Sequence, residues 1–200
     1  MKKILLASNN PGKIREIESI LAGHDFQVIP QSAFAIGDVD ETGQTFIENA
    51  LIKARHAAGL ANLPAIADDS GLEVDALGGA PGVYSARYAG PGATDDANNA
   101  KLLAALAGVP MAQRTARFRC VMAFVRHADD PHPIIAQGDW SGVILEQATG
   151  QGGFGYDPLF FVPERGCASA ELDPAEKNRL SHRGKALRAL ARGLRAILEP

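Results

Sequence analysis

The hydrophobic period of this chain changes along its length, and that change limits the folds open to it. In the first half, short apolar runs alternate with segments whose apolar residues recur every three or four positions. Residues 2–7 read as a short buried strand and residues 8–13 as a polar turn. Ile14, Ile17, Ile20 and Leu21 then fall at helical spacing. Residues 26–30 are a second strand candidate. Residues 44–60 predict a helix with Phe46, Ile47, Ala50, Leu51, Ala54 and Ala58 on one face, Thr42 or Thr45 as its cap, and Gly59 near its end. Residues 64–67 form a short strand that runs into Asp68-Asp69-Ser70-Gly71, and residues 72–77 continue it. Thr94 and Asp95 can start a helix over residues 97–106.

The second half opens differently. Residues 117–126 and 134–145 are long strand-like runs, and Asp129-Asp130-Pro131 between them is a turn signal, so they predict a hairpin. A glycine-rich loop at residues 150–157 precedes an apolar run at 159–162. Asp173-Pro174-Ala175-Glu176 has the form of a helix start, with Glu placed for a capping box. Ser181 can cap a last helix from His182 to about Leu198. Helices alternating with strands, followed by a hairpin, predict an α/β fold: a mixed sheet with helices on its faces. Strand order is not contained in this pattern, and there is no internal repeat.

At 200 residues the chain suits a single domain over residues 1–200, with room for two lobes, and needs no disulfide or metal staple to bury a core. Its 46% hydrophobic and 22% charged residues are those of a globular protein. A formal net charge of −3 argues against a partner that is a nucleic acid polymer, but leaves room for a small phosphate ligand held by local lysines. Cys120 and Cys167 lack metal-type spacing, and Cys120 lies in an apolar run that predicts a buried thiol. The apolar stretch after Lys2 and Lys3 is too short for a signal peptide, and no run approaches a membrane span. The expected compartment is the cytoplasm, with no membrane partner.

Five segments could carry chemistry. Ser8-Asn9-Asn10-Pro11-Gly12-Lys13 is a strand-to-helix turn that offers backbone N–H groups and a cation to a phosphate, although Asn-Pro-Gly is equally a plain turn. It is not a Walker loop, because Ala7 and Ile14 stand where that motif needs Gly and Ser or Thr. Gly150-Gln151-Gly152-Gly153-Phe154-Gly155 matches a dinucleotide fingerprint in letters only. Tyr156-Asp157-Pro158 and a strand follow it instead of a helix, so it reads as a lid or as a glycine-rich hairpin turn with core aromatics. Asp68 and Asp69 are neighbours on a strand and should point to opposite faces. With Asp40-Glu41 on a separate loop they could supply the two carboxylates that hold Mg²⁺ beside substrate phosphates, or they are solvated loops. Lys177, Ser181, His182 and Arg183 place cations near helix starts, against the macrodipole, which points to an anionic or carbonyl partner or to an exposed, solvated pair.

Taken in order, these segments resemble the inosine/xanthosine triphosphate pyrophosphatase family over nearly the whole chain. The resemblance rests on residues 8–13, on Glu41-Thr42-Gly43 with Thr45-Phe46-Ile47-Glu48-Asn49-Ala50, and on Lys53-Ala54. It continues through Ala67-Asp68-Asp69-Ser70-Gly71-Leu72, Leu77-Gly78-Gly79-Ala80-Pro81-Gly82, and Tyr84-Ser85-Ala86-Arg87-Tyr88. Gly153-Phe154-Gly155-Tyr156-Asp157-Pro158, Glu176-Lys177-Asn178 and Ser181-His182-Arg183-Gly184 complete it. The first loop departs mildly, with Ser8-Asn9-Asn10 where Thr-Gly-Asn is common.

The resemblance implies two lobes around a central nucleotide-binding cleft, a long mixed sheet and a homodimer. It implies hydrolysis of ITP, dITP and XTP to the monophosphate and pyrophosphate, with Mg²⁺ as cofactor. Ser8, Asn9, Asn10, Pro11, Gly12, Lys13 and Lys53 would bind the triphosphate. Glu41 and Asp69 would bind the metal, and Asp69 would also be the general base. Ser70 would touch the substrate, and Phe154, Gly155, Tyr156, Asp157, Lys177, His182 and Arg183 would hold base and sugar. Hypoxanthine and xanthine show O6 as acceptor and N1–H as donor, so Arg183 and His182 could donate to O6 while Asp157 accepts a ring N–H. The alternatives are a pyrophosphatase of other base preference and a non-catalytic nucleotide sensor.

Overall fold

The computed structural model describes residues 2–22 and 26–198. The strands are β1 (Lys2–Leu6), β2 (Phe26–Pro30), β3 (Ala65–Val74), β4 (Thr115–Val125), β5 (Ile134–Ile144), β6 (Phe160–Val162) and β7 (Cys167–Ala168). The helices are α1 (Pro11–Leu21), α2 (Phe46–Ala61), α3 (Asp95–Ala105), α4 (Pro174–Leu180) and α5 (His182–Leu198). The strands form one mixed sheet in the order β2-β1-β3-β4-β5-β6-β7. β1 is parallel to β2 and β3, whereas β6 is antiparallel to β5 and β7.

The chain divides into two compact units. The first comprises Met1–Asp69, Cys120–Gly138 and His182–Pro200; the second comprises Ser70–Arg119 and Asp139–Ser181. Each has its own core. In the first unit Ile4, Leu5 and Leu6 are all buried, as a parallel strand covered on both faces requires. Ile17 and Leu21 of α1 join Leu187, Leu190 and Leu194 of α5, residues spaced at three and four, around Ile66, Met122 and Phe124. Gly138 of β5 lets the start of α5 approach closely, since a Cβ there would stand 2.7 Å from the Ala186 nitrogen. In the second unit Phe118, Trp140 and Phe160 form an aromatic cluster with ring centroids 4.6 to 6.5 Å apart, packed among Leu72, Val74, Leu102 and Leu159.

The sequence expectations meet two local differences. β3 runs through Asp68-Asp69-Ser70-Gly71, as the sequence reads it, but ends at Val74 and not at Leu77. It stops at Val74 because residues 75–80 fold back: Asp75–Leu77 is a 3₁₀ turn, Gly78 adopts a left-handed φ of 62°, and Val74 N–H donates to the Ala80 carbonyl. At α4, Asp173 caps by accepting from Ala175 N–H, but the Glu176 carboxylate pairs with Arg165 at 2.6 Å instead of closing a box. α2 does have a complete capping box, made by Thr45 and Glu48.

Candidate active site

The residues singled out in the sequence fall into two sets, one in each unit. In the first unit, β1 delivers the chain to the turn before α1. Asn10 caps α1, its side chain accepting from Gly12 N–H at 2.9 Å and Lys13 N–H at 3.0 Å. Two backbone donors that the sequence offered to a phosphate are thus taken by the cap. Ser8 is buried and accepts from Asn10 N–H, and Asn9 donates to Asp38 at 2.9 Å.

Strand alternation sends Asp68 and Asp69 to different partners, as the sequence predicts. Asp68, fully buried, takes Lys13 Nζ at 3.0 Å and Arg183 Nη2 at 3.5 Å. Burial alone would raise its carboxyl, but Lys13, Arg183 and Lys53 hold it well below the usual aspartate range. Arg183 is also buried and pairs with Glu16 through Nη1, so its guanidinium is shared between two carboxylates. Burial disfavours its charge, yet Asp68 and Glu16 raise it further above the ordinary arginine value.

Asp69 belongs to a second cluster. Lys53 Nζ lies 2.6 Å from Glu41 Oε1 and 2.8 Å from Asp69 Oδ1, so the two carboxylates converge on a single ammonium. Asn49 of α2, fully buried, donates to Asp69 Oδ2 at 3.4 Å and accepts from Gly43 N–H at 2.8 Å, tying the Glu41 loop to β3. Gly43 is required there, since a Cβ would stand 2.7 Å from Asn49 Oδ1. Burial raises the Asp69 carboxyl above its ordinary value against the opposing pull of Lys53 and Lys13. Burial also works against the Lys53 ammonium, but Asp69, Asp68 and Glu41 outweigh it and raise it. A small pocket beside this cluster is lined by Glu41, Lys53, Asp38, Gln31 and His56.

In the second unit the Gly-rich loop is built around Asp157. This carboxylate is buried and accepts from Ser169 Oγ at 2.9 Å, Lys177 Nζ at 2.7 Å and Phe154 N–H at 2.8 Å. Gly153, with φ of 77°, is needed because a Cβ would collide with Asp157 Oδ2. The Lys177 ammonium stands 5.0 Å from the Phe154 ring centroid. Tyr156 is buried and donates its hydroxyl to the Ser85 carbonyl at 2.7 Å. Ser70 lies on β3 and is half-buried. His182, at the start of α5 in the first unit, is buried. The sequence reading missed Glu16, Asn49 and Ser169 as the partners that hold Arg183, Asp69 and Asp157. Only Asn49, inside the quoted Thr45–Ala50 segment, carried a signal.

The carboxylate pair suits a hard divalent ion, because Glu41 and Asp69 already converge on one cation from separate elements. Among the described residues no three His, Cys, Asp or Glu side chains gather as a metal cage, so phosphate oxygens would have to complete the shell.

Fold and clusters together define a mixed α/β protein in which lysines of α1, α2 and α4 pair with carboxylates of β3 and of the loops. The chain belongs to the Ham1 family, whose sequence profile matches residues 4–193. A protein named dITP/XTP pyrophosphatase from Vibrio parahaemolyticus is 63% identical over 190 residues, 95% of each chain. Another of that name, from Methylococcus capsulatus, is 60% identical over 196 residues and 98% of each chain. Among solved structures, a HAM1 protein from Coxiella burnetii shares 49% identity with a TM-score of 0.91, covering 98% of this chain and all of that one. A nucleoside-triphosphatase, dITP/XTP pyrophosphatase, from Mycobacterium abscessus shares 42% identity with a TM-score of 0.75, covering 96% of this chain and 100% of its own.

Proposed function

We propose that this chain hydrolyses the non-canonical purine nucleoside triphosphates ITP, dITP and XTP to the monophosphate and pyrophosphate, clearing deaminated purines from the nucleotide pool. The observation that carries the reading is the Lys53 ammonium held between Glu41 and Asp69. A carboxylate pair that already converges on one cation is the donor set a metal–triphosphate substrate needs. The names of close relatives, matched over nearly the full chain, support the substrate class.

Glu41 and Asp69 would hold Mg²⁺, which when bound withdraws charge from phosphate oxygens. Asp69 is the general base: it takes a proton from water as the water oxygen bonds to the α-phosphorus. The bond to the α–β bridging oxygen breaks, and pyrophosphate leaves with the electron pair. Burial makes Asp69 more basic than an exposed aspartate, which suits that task. Asn49 and Lys53 fix the carboxylate's orientation. Lys13 and Lys53 offset the charge of the leaving group, and the turn from Ser8 to Gly12 lies against the triphosphate. In the second unit Phe154 stacks on the purine, and Asp157 holds Lys177 and the Phe154 N–H in place. Ser70 touches the substrate, and N–H groups of His182 and Arg183 donate to O6 of the base, Arg183 by giving up its hold on Asp68 or Glu16.

Pyrophosphate release from ITP, ATP and GTP, with and without Mg²⁺, tests the reading. Mg²⁺-dependent release from ITP well above ATP is expected. Binding of ITP without release would make the protein a sensor, and equal rates on ATP would remove the base selectivity. The same reading makes the protein a cytoplasmic homodimer, which the family resemblance supports. Sedimentation at micromolar concentration should give the dimer mass; a monomer would overturn that part alone.

A further inference from the structure

The loop at residues 150–157 is rich in glycine, and Gly150, Gly153 and Gly155 all have positive φ. Such a loop has many backbone states open to it. Asp157 holds it from within. A second anchor comes from outside the loop and has no part in the site described above. Gly155 N–H donates to Asp95 Oδ2 at 2.6 Å, and the Gly155 carbonyl accepts from Asn99 Nδ2 at 2.9 Å. Asp95 and Asn99 are four residues apart on α3 and so stand one turn above the other on one face. They grip the two polar groups of one residue, the donor from one side and the acceptor from the other. Neither peptide plane flanking Gly155 can then rotate without breaking a bond. Phe154 immediately precedes that residue, so the peptide plane joining the two is held by Asp95 while Asp157 holds the Phe154 N–H, and the backbone that carries the ring is pinned on both sides.

α3 is itself anchored. Thr94 caps it, and the buried Asn98 accepts from Ala89 N–H at 2.7 Å and donates to the Ala86 carbonyl at 3.2 Å. The grip therefore comes from a braced helix. Asp95 also sits in the first turn of α3, directly after the Thr94 cap.

We propose that Asp95 and Asn99 are positioning residues for base recognition, clamping Gly155 so that the Phe154 ring is presented ready for a purine face. The inference rests on the reading that Phe154 stacks on the base. Its effect should be on substrate affinity: removing one clamp leaves chemistry at Asp69 intact and lets the ring sample unproductive directions.

The test uses the full chain and ITP. Asn99→Ala and Asp95→Ala should each raise KM by ~2- to 10-fold, the range a net hydrogen bond covers, with kcat little changed. Asp95→Asn keeps an acceptor oxygen and should restore KM. In a Phe154→Ala background, Asn99→Ala should add nothing further to KM, because the ring it positions is gone. In nucleotide-free protein, amide hydrogen exchange at Gly155 should speed up in both alanine variants. Loss of kcat with KM unchanged, a full extra penalty in the Phe154→Ala background, or unaltered exchange at Gly155 would each overturn the inference. A parent protein that leaves ITP intact would overturn the substrate reading and this inference together. A parent that cleaves ITP while the variants behave in any of those contrary ways would overturn only the clamp.

Discussion

Lys53 and Asp69 are each half of a pairing that the proposed reaction would have to rearrange. Asp69→Asn would remove the proposed base and weaken the proposed metal pair while keeping the shape that Asn49 and Lys53 hold. Turnover of ITP should fall ~10²- to 10⁴-fold, the usual loss for a general base, with the thermal transition little moved. Near-normal kcat would place the base elsewhere. Lys53→Met should act in two directions. Turnover should fall for every triphosphate alike, because the lysine serves a group all of them share. Yet nucleotide-free protein should bind Mn²⁺ more tightly, since a competing cation has left Glu41 and Asp69. A unit charge at 4 Å is worth ~1–4 kcal/mol between bulk water and a protein surface, enough for a rise of roughly tenfold. Weaker Mn²⁺ binding in a titration would mean that the lysine supports the metal instead of standing in for it.

Among the elements, the β4–β5 connection carries its own electrostatic lock. Asp130 accepts from the Arg126 and His132 backbone N–H groups at 2.8 and 2.9 Å and from both ends of the Arg126 guanidinium. The Arg126 side chain, against the opposing effect of burial and with help from those two amides, holds the carboxyl well below the ordinary aspartate range. A carboxyl depressed on folding contributes stability that is complete above its unfolded pKa of about 4 and is lost as pH falls below that. Asp130→Asn should therefore be less stable than the parent at pH 7 and converge with it in acid, as read by urea midpoints at several pH values. A constant gap at every pH would refute the assignment. The turn itself was legible, since Asp129-Asp130-Pro131 between two apolar runs has few other readings. So were α2, from its apolar face and cap, and the divergence of Asp68 from Asp69, from the two-residue period of a strand. The partners of these groups were not legible. Glu16 meets Arg183 across 167 positions of sequence, and no local period reports a contact of that range. The order of the strands was hidden for the same reason.

At the scale of the whole molecule, connectivity binds the two units. The chain passes from one to the other inside β3, inside β4 and inside β5, so each of these strands belongs partly to both. Neither unit is an uninterrupted stretch of sequence, and unfolding should be a single cooperative event. Trp140 is the only tryptophan and lies buried in the second unit, so its fluorescence reports that core alone, whereas far-ultraviolet dichroism reports all helices. The two urea curves should superimpose; a separated tryptophan transition would show the units melting independently. One arrangement in the first unit also bears on life in a crowded cell. Lys13 and Lys53, the cations expected to meet phosphates, rest against Asp68, Asp69 and Glu41. Inorganic phosphate and stray anions that arrive alone must pull a lysine from its carboxylate, leaving Asp68 to Arg183 and Asp69 to Asn49. A triphosphate that carries its own divalent ion can exchange both halves of each pair at once. With the proposed roles of these lysines and carboxylates, the resting protein would be guarded against decoys by its own counter-ions, and would answer best to a visitor that brings charge of both signs.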